Sequence, residues 1–280
     1  MGSSGSKNIN FNPDEDIPSL KEKVFLSILE FSKHGPKEIW LGARSKTKAD
    51  EAIADIKAQV SKAPPIKFLQ MDLGSPLPNQ QSDRLDILLL NAGIMSVPAG
   101  TTDNGYEVQF GTNHMGHAFL AKLLLPTMLN TAEEPSSDVR VTIHASAAHQ
   151  YTPNEGILFD TLKNEAEKLS TITRYGQSKL ANALYAKELA RRHPQLTTSS
   201  IQPGLVTTNL ANAMSDNSWI MRIAWKITTA FIGVDVPTGT LNQLWASTSN
   251  NVISGRYYGP LGRTGLGKPH TTDAALAKKL

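Results

Sequence analysis

Glu38-Ile39-Trp40-Leu41-Gly42-Ala43-Arg44 is followed by Ser45, a polar run and then Ile66-Lys67-Phe68-Leu69-Gln70-Met71-Asp72. The two flanking segments, rich in β-branched and aromatic residues, read as strands. Between them Ala52, Ile53, Ile56 and Val60 recur at helical spacing over residues 49–61, with Ser45 placed to cap the helix. Strand, helix, strand is the building unit of a parallel sheet. The pattern continues outward. Lys23-Val24-Phe25-Leu26 reads as a first short strand, followed by helical sequence over 27–34. Asp86-Ile87-Leu88-Leu89-Leu90, Val141-Thr142-Ile143-His144-Ala145-Ser146 and Thr198-Ser199-Ser200-Ile201 read as later strands. The expected fold is α/β: a single Rossmann-like, doubly wound parallel sheet. Residues 1–19 read as a flexible polar arm, and residues 20–280 as the one domain.

The chain has 280 residues and 40% apolar content, enough for one sizeable core. A net charge of +3, dispersed along the chain, argues against nucleic acid as a partner. The absence of cysteine excludes disulfides and thiolate metal sites. The first turns of sequence carry Asp14, Glu15 and Asp16 and no apolar signal core, and no apolar run is long enough to span a bilayer. These features lead to the expectation of a cytoplasmic protein.

The chemistry centres on Arg174-Tyr175-Gly176-Gln177-Ser178-Lys179. Tyr175 and Lys179 are four apart in helical sequence and so share a face. A cation beside a phenol favours the phenolate, so the pair reads as a tuned proton donor or acceptor. The spacing alone also occurs on ordinary surface helices. Ser146 lies at the carboxyl end of its strand, where open α/β sheets bind ligands. Asn91-Ala92-Gly93 follows another strand, Asn113 sits in the next helical segment, and Pro203-Gly204 follows a third strand. In this order the motifs resemble the short-chain dehydrogenase/reductase superfamily, most like its retinol-dehydrogenase-like and fungal secondary-metabolism branches, over residues 17–275.

The resemblance implies an oxidoreductase acting on a carbonyl or alcohol. Tyr175 would exchange the proton, Lys179 would tune it and bind the nicotinamide ribose, and Ser146 would hold the substrate oxygen. Asn113 would fix a water joining Lys179 to solvent. Asp72 would contact the adenine, with strand-end turn formation as its other reading. Asn91 and Gly93 would let the backbone pass close to the adenosine ribose. Lys122 would line the cofactor groove, and Val206 and Thr208 would meet the carboxamide. Many relatives form homo-oligomers, which is the corresponding expectation here. Independently of the resemblance, Arg44 after the second strand has no adjacent acid, and Lys46 and Lys48 add positive charge. That favours the 2′-phosphate of NADP (NADPH) over NAD. A solvated basic loop is the alternative.

The histidines offer no metal centre. His114 and His117 have a metal-compatible spacing but no neighbouring acid or thiol, and read as packing or capping residues. His144 and His149 flank Ser146 without a Gly-x-Ser-x-Gly elbow, which argues against a hydrolase. Ile220, Ile223, Ala224, Ile227 and Phe231 form an apolar helical stripe, read as a lid around 209–234 over a hydrophobic small molecule, possible secondary-metabolite intermediates included. A partner surface or a membrane surface would suit the same stripe.

Two places break the pattern. A dinucleotide-binding turn needs glycines for close backbone approach to the pyrophosphate, yet no glycine stands between Gly5 and Gly35. The strand ending at Leu26 runs straight into helical sequence, as if about a dozen residues were excised. The crossover Gly74-Ser75-Pro76-Leu77-Pro78-Asn79-Gln80-Gln81-Ser82 is also short and proline-interrupted. The alternative to an active enzyme is therefore a catalytically impaired relative, through a gene-model or splice truncation, or an interaction scaffold.

Overall fold

The computed structural model describes residues 9–26, 29–74, 83–204 and 236–280. Seven strands form one sheet: β1 Val24–Leu26, β2 Glu38–Ala43, β3 Ile66–Gln70, β4 Ile87–Leu90, β5 Arg140–His144, β6 Thr197–Ile201 and β7 Tyr257–Tyr258. They lie in the order β3-β2-β1-β4-β5-β6-β7, and every pairing is parallel. The helices are α1 Pro13–Asp16, α2 Leu29–Ser32, α3 Lys46–Gln59, α4 Val108–Phe110, α5 Gly116–Glu133, α6 Thr171–Arg192, α7 Val236–Thr248 and α8 Ala274–Lys279. The chain winds outward from β1 to β3, then returns to β4 on the other side of β1. The crevice beyond the carboxyl ends of β1 and β4 is thus the switch point, where such sheets receive ligands.

The sheet is buried on both faces, as parallel sheets require. Alternate residues of β4 serve opposite layers. Leu88 and Leu90 pack with Val141, Ile143, Leu120, Met128 and Leu189 on one side, while Ile87 and Leu89 pack with Phe25, Ile39, Ile201, Leu244 and Trp245 on the other. Strand β1 is only three residues long, and a buried acid anchors its start. Asp86 Oδ2 accepts from Val24 N at 2.9 Å and from Arg84 Nε at 2.8 Å. The guanidinium neutralises a carboxylate that is otherwise sealed from water.

The sequence expectations hold for the helix over 49–61, observed at Lys46–Gln59 with the Ser45 hydroxyl accepting from Lys48 N. The helix expected over 27–34 is shorter among the described residues, Leu29–Ser32. Positions 27–28, the crossover 75–82, Val206, Thr208 and the lid 209–234 lie outside the described residues.

The flexible-arm reading fails for residues 9–19. Asn12 caps α1, its side chain accepting from Asp14 N. Phe11, Ile17 and Leu20 are buried in the layer that contains Trp245 and Tyr258. Three apolar residues scattered among polar ones carry no helical or strand period, yet together they cover one face of the core. Among the described residues no helix is long and apolar enough to cross a membrane.

Leu20 is 1% exposed, so Leu20→Ala should lower unfolding free energy by roughly 2–5 kcal/mol. Urea denaturation checks this as a lower midpoint with an unchanged slope. An unchanged midpoint would mean that the segment is free of the core.

Candidate active site

Strand β5 delivers Ser146 two residues past its end. There Ser146 starts the tight turn Ala147–Tyr151, its Oγ accepting from Ala148 N at 3.1 Å. Helix α6 begins at a Ser170 cap, with Ser170 Oγ accepting from Thr173 N, and brings Tyr175 to the same place. The Ser146 hydroxyl lies near enough to the phenol to favour its ionised form. Gly176 makes this approach feasible: a Cβ there would stand 2.6 Å from the Ala148 carbonyl oxygen, so only glycine lets the helix come so close to the Ser146 turn.

One helical turn on, Lys179 is buried, with Nζ 5.6 Å from the centre of the Tyr175 ring. Its ammonium donates to the His144 carbonyl at 3.1 Å. Asn182 Nδ2 donates to that same carbonyl at 2.9 Å and to the Asn113 carbonyl at 3.0 Å. Asn113 lies in a π-helical turn, Gly111–Met115, between α4 and α5. Its side-chain oxygen accepts from Ile94 N at 2.8 Å, and its Nδ2 donates to Ile94 O and Ser178 Oγ. Asn113 therefore locks the loop after β4 to α6. Gly93 completes the junction, because a Cβ there would lie 3.0 Å from Asn113 Oδ1 and 3.5 Å from Lys179 Nζ.

Burial dominates the protonation of this group. The Tyr175 phenol is pushed up to about 12 by desolvation, with the Ser146 hydrogen bond acting in the opposite direction. This corrects the expectation that Lys179 leaves the phenol lowered: the ring is sealed from water, and the ammonium points to a carbonyl. Lys179 itself is lowered to about 8 by burial.

Burial disfavours the charged form of His114, His117, His144 and His149. His114 is lowered to about 4, and His117 and His144 to about 3, chiefly by burial. His114 Nδ1 meets Asn182 Oδ1 at 3.1 Å, and His144 Nε2 meets Gln243 Oε1 at 2.9 Å. His149 Nδ1 faces the main-chain carbonyl of Ser146, not its hydroxyl, and His149 Nε2 accepts from Lys268 N at 3.0 Å. That arrangement fixes the Nδ1–H tautomer and leaves no nucleophile–base pair. Among the described residues no cluster of metal-ligating side chains exists.

A cavity of about 590 Å³ opens at the switch point. Arg44, Asp72, Asn91 and Gly93 line it, together with Thr102, Asp103, Thr112, His117 and Leu120. The second set escaped the sequence reading; only the adjacency of Thr112 to Asn113 hinted at it. Asp72 also folds its own turn, Oδ1 accepting from Gly74 N at 3.0 Å. Lys48 and Lys122 are exposed and do not line the cavity. No described residue of β1 or α2 lines it either.

No family model matches the chain. An uncharacterized oxidoreductase of Schizosaccharomyces pombe is 31% identical over 277 residues, spanning 90% of this chain and 80% of that protein. A short-chain dehydrogenase/reductase of Armillaria gallica is 33% identical over 95% of this chain and 90% of its own length. Retinol dehydrogenase 14 of Homo sapiens is 35% identical over 72% of this chain and 58% of its own. Among solved structures, an uncharacterised Mycobacterium paratuberculosis protein superposes with a TM-score of 0.70 at 24% identity, covering 96% of this chain and 94% of that one. An Escherichia coli CFT073 protein described as a short chain dehydrogenase complexed with NADPH superposes with a TM-score of 0.61 at 16% identity, covering 86% and 98%. These last likenesses concern the fold.

Lys179 sets a pH dependence. Below about 8 the folded chain carries a buried charge. From there up to the ordinary lysine value of 10.5, the unfolded chain holds a proton that the folded chain lacks, so stability rises with pH across that window. Lys179→Met should therefore stabilise the cofactor-free protein at neutral pH by roughly 3 kcal/mol, with Asn182 still satisfying the His144 carbonyl. The gain should shrink as pH rises through the window. Thermal melts across pH check this, and a loss of stability at neutral pH would contradict it.

Proposed function

The chain belongs to the short-chain dehydrogenase/reductase superfamily and is an oxidoreductase of that kind, and from this premise we propose that it works with NADP(H) on a hydrophobic carbonyl or alcohol, with Tyr175 exchanging the proton. The observation that carries the reading is the buried Tyr175 beside Ser146, with Lys179 one helical turn away and its Nζ 5.6 Å from the Tyr175 ring centre, at the carboxyl end of β5. The residues present fit the two ends of a dinucleotide. Arg44 stands exposed at the end of β2 and lines the cavity, suited to a 2′-phosphate, while Asp72 and Asn91 line the adenosine side. Bare backbone at Gly93 suits close passage of the adenosine ribose, and the buried Lys179 suits the nicotinamide ribose.

When bound, the nicotinamide supplies or accepts the hydride. In this reading the protein's own residues handle the proton and the orientation. A phenol held at about 12 is protonated at neutral pH, which makes Tyr175 the donor to a carbonyl oxygen in the reductive direction. The Ser146 hydroxyl steadies that oxygen as charge develops. Lys179, at about 8, keeps a cation close enough to replenish the proton. Asn113 spends its side chain on the Ile94 backbone and on Ser178, which keeps the loop and α6 in register. Met95, Ala148 and Ile172 pack with Tyr175 and present an apolar wall, suited to a lipophilic substrate.

One specific observation favours a second reading, an impaired relative. No glycine stands between Gly5 and Gly35, and no described residue of β1 or α2 reaches the cavity. Each charge-assisted hydrogen bond lost to the pyrophosphate costs about 1.5–3 kcal/mol, so cofactor affinity falls well below that of an intact turn.

NADPH oxidation with a panel of lipophilic aldehydes and ketones separates the two. Tyr175→Phe should cut turnover at least ~100-fold while leaving the NADPH-induced rise in melting temperature intact. Arg44→Asp should move preference toward NADH by about tenfold. Undiminished turnover in Tyr175→Phe would remove the phenol from the mechanism. A folded chain with no NADPH response would favour the second reading.

A further inference from the structure

Residue 174, next to the reactive phenol, carries a charge that is nearly sealed from water. Arg174 is 4% exposed and its partner Glu107 3%. Arg174 Nη1 donates to Glu107 Oε1 at 2.9 Å, and Nη2 donates to the Val97 carbonyl at 3.1 Å. The other carboxylate oxygen, Oε2, accepts from Phe110 N at 2.7 Å and so caps α4, which leads directly into the turn bearing Asn113. A second strap runs parallel to the first. Gln109 Oε1 accepts from Ser96 N at 3.0 Å, and its Nε2 donates to the Thr171 carbonyl at 3.0 Å.

The loop these groups hold is strained. Ser96 has φ +55°, the left-handed region that non-glycine residues avoid. Such a conformation persists only where the surroundings over-determine it. The same loop supplies Ile94, the partner of Asn113, and Met95, which packs on Tyr175.

We propose that the buried Glu107–Arg174 pair is a positioning element for the reaction centre, holding the Tyr175 turn of α6, the loop 94–98 and the helix leading to Asn113 in one frame. A buried ion pair is a poor device for stability alone, since apolar replacement of both partners is often neutral or stabilising. Its value here is directional. A planar guanidinium joins a carboxylate and a carbonyl from two different segments, which an apolar contact cannot do. The pair touches no substrate and acts through the placement of Tyr175. This inference rests on the oxidoreductase reading for its kinetic arm only.

The test replaces both charges with apolar residues, Glu107→Leu with Arg174→Met. The double variant should fold and melt close to the parent. Its Tyr175, no longer held in its sealed pocket, should titrate about one pH unit or more lower than the parent. Ultraviolet difference titration reads this, with each chain compared against its own Tyr175→Phe version. With NADPH and a competent carbonyl, kcat should fall about tenfold while KM for NADPH stays unchanged. A folded double variant whose Tyr175 titrates as in the parent and whose kcat is unchanged would overturn the proposal. If the double variant does not fold, Arg174→Lys decides: it keeps the charge but loses the fork, and should shift the titration in the same direction, whereas parental titration would overturn the idea. A parent without turnover would count against the oxidoreductase reading, while the titration would still decide the role of the pair.

Discussion

The main-chain carbonyl of His144 is the joint on which this site depends. It receives Lys179 Nζ at 3.1 Å and Asn182 Nδ2 at 2.9 Å, and so fastens the middle of α6 to the end of β5. Strand β5 in turn sets the position of Ser146, and α6 that of Tyr175. An ammonium taken out of water costs several kcal/mol, and a single carbonyl offsets only part of that. The structure accommodates the remainder by lowering Lys179 to about 8 and by keeping His117 and His144, the charged-state neighbours of Lys179, neutral. The result is one titratable cation beside one protonated phenol.

The frame around this joint is built from long-range ties. Gly176 allows α6 to touch the turn after β5, Asn113 pins the loop after β4, and His149 fixes the Ser146 carbonyl from the side of residue 268. Each tie meets a main-chain group whose place is set by the parallel sheet. The candidate site is therefore built from segments that are distant in sequence but adjacent at the strand ends.

Much of this was legible beforehand. The alternation of strands and helices is local and periodic, and Tyr175, Lys179, Ser146 and Asn113 announce themselves by spacing and order; the structure brings all four together. Three things were not legible. Phe11, Ile17 and Leu20 enter the core without any period to betray them. The protonation of Tyr175 depends on desolvation, which spacing cannot report, so the pairing with Lys179 suggested a lowered phenol where burial raises it. The Glu107–Arg174 bond links positions 67 apart, and nothing local distinguishes either residue from a surface charge. Lys122, which the family resemblance placed along the cofactor groove, is exposed and does not line the cavity.

Ser146, Tyr175, Lys179 and Asn113 are thus all in place, while the segment after β1 holds no glycine before Gly35 and none of its described residues lines the cavity. The central claim is that the groove still holds NADP(H) by its two ends. Isothermal titration calorimetry of the folded chain with NADPH tests it most directly. The account predicts saturable binding at one site, weaker than a glycine-turn enzyme would give and weaker still for NADH. The absence of any saturable heat with NADPH at millimolar concentration, from a chain that melts cooperatively, would contradict it.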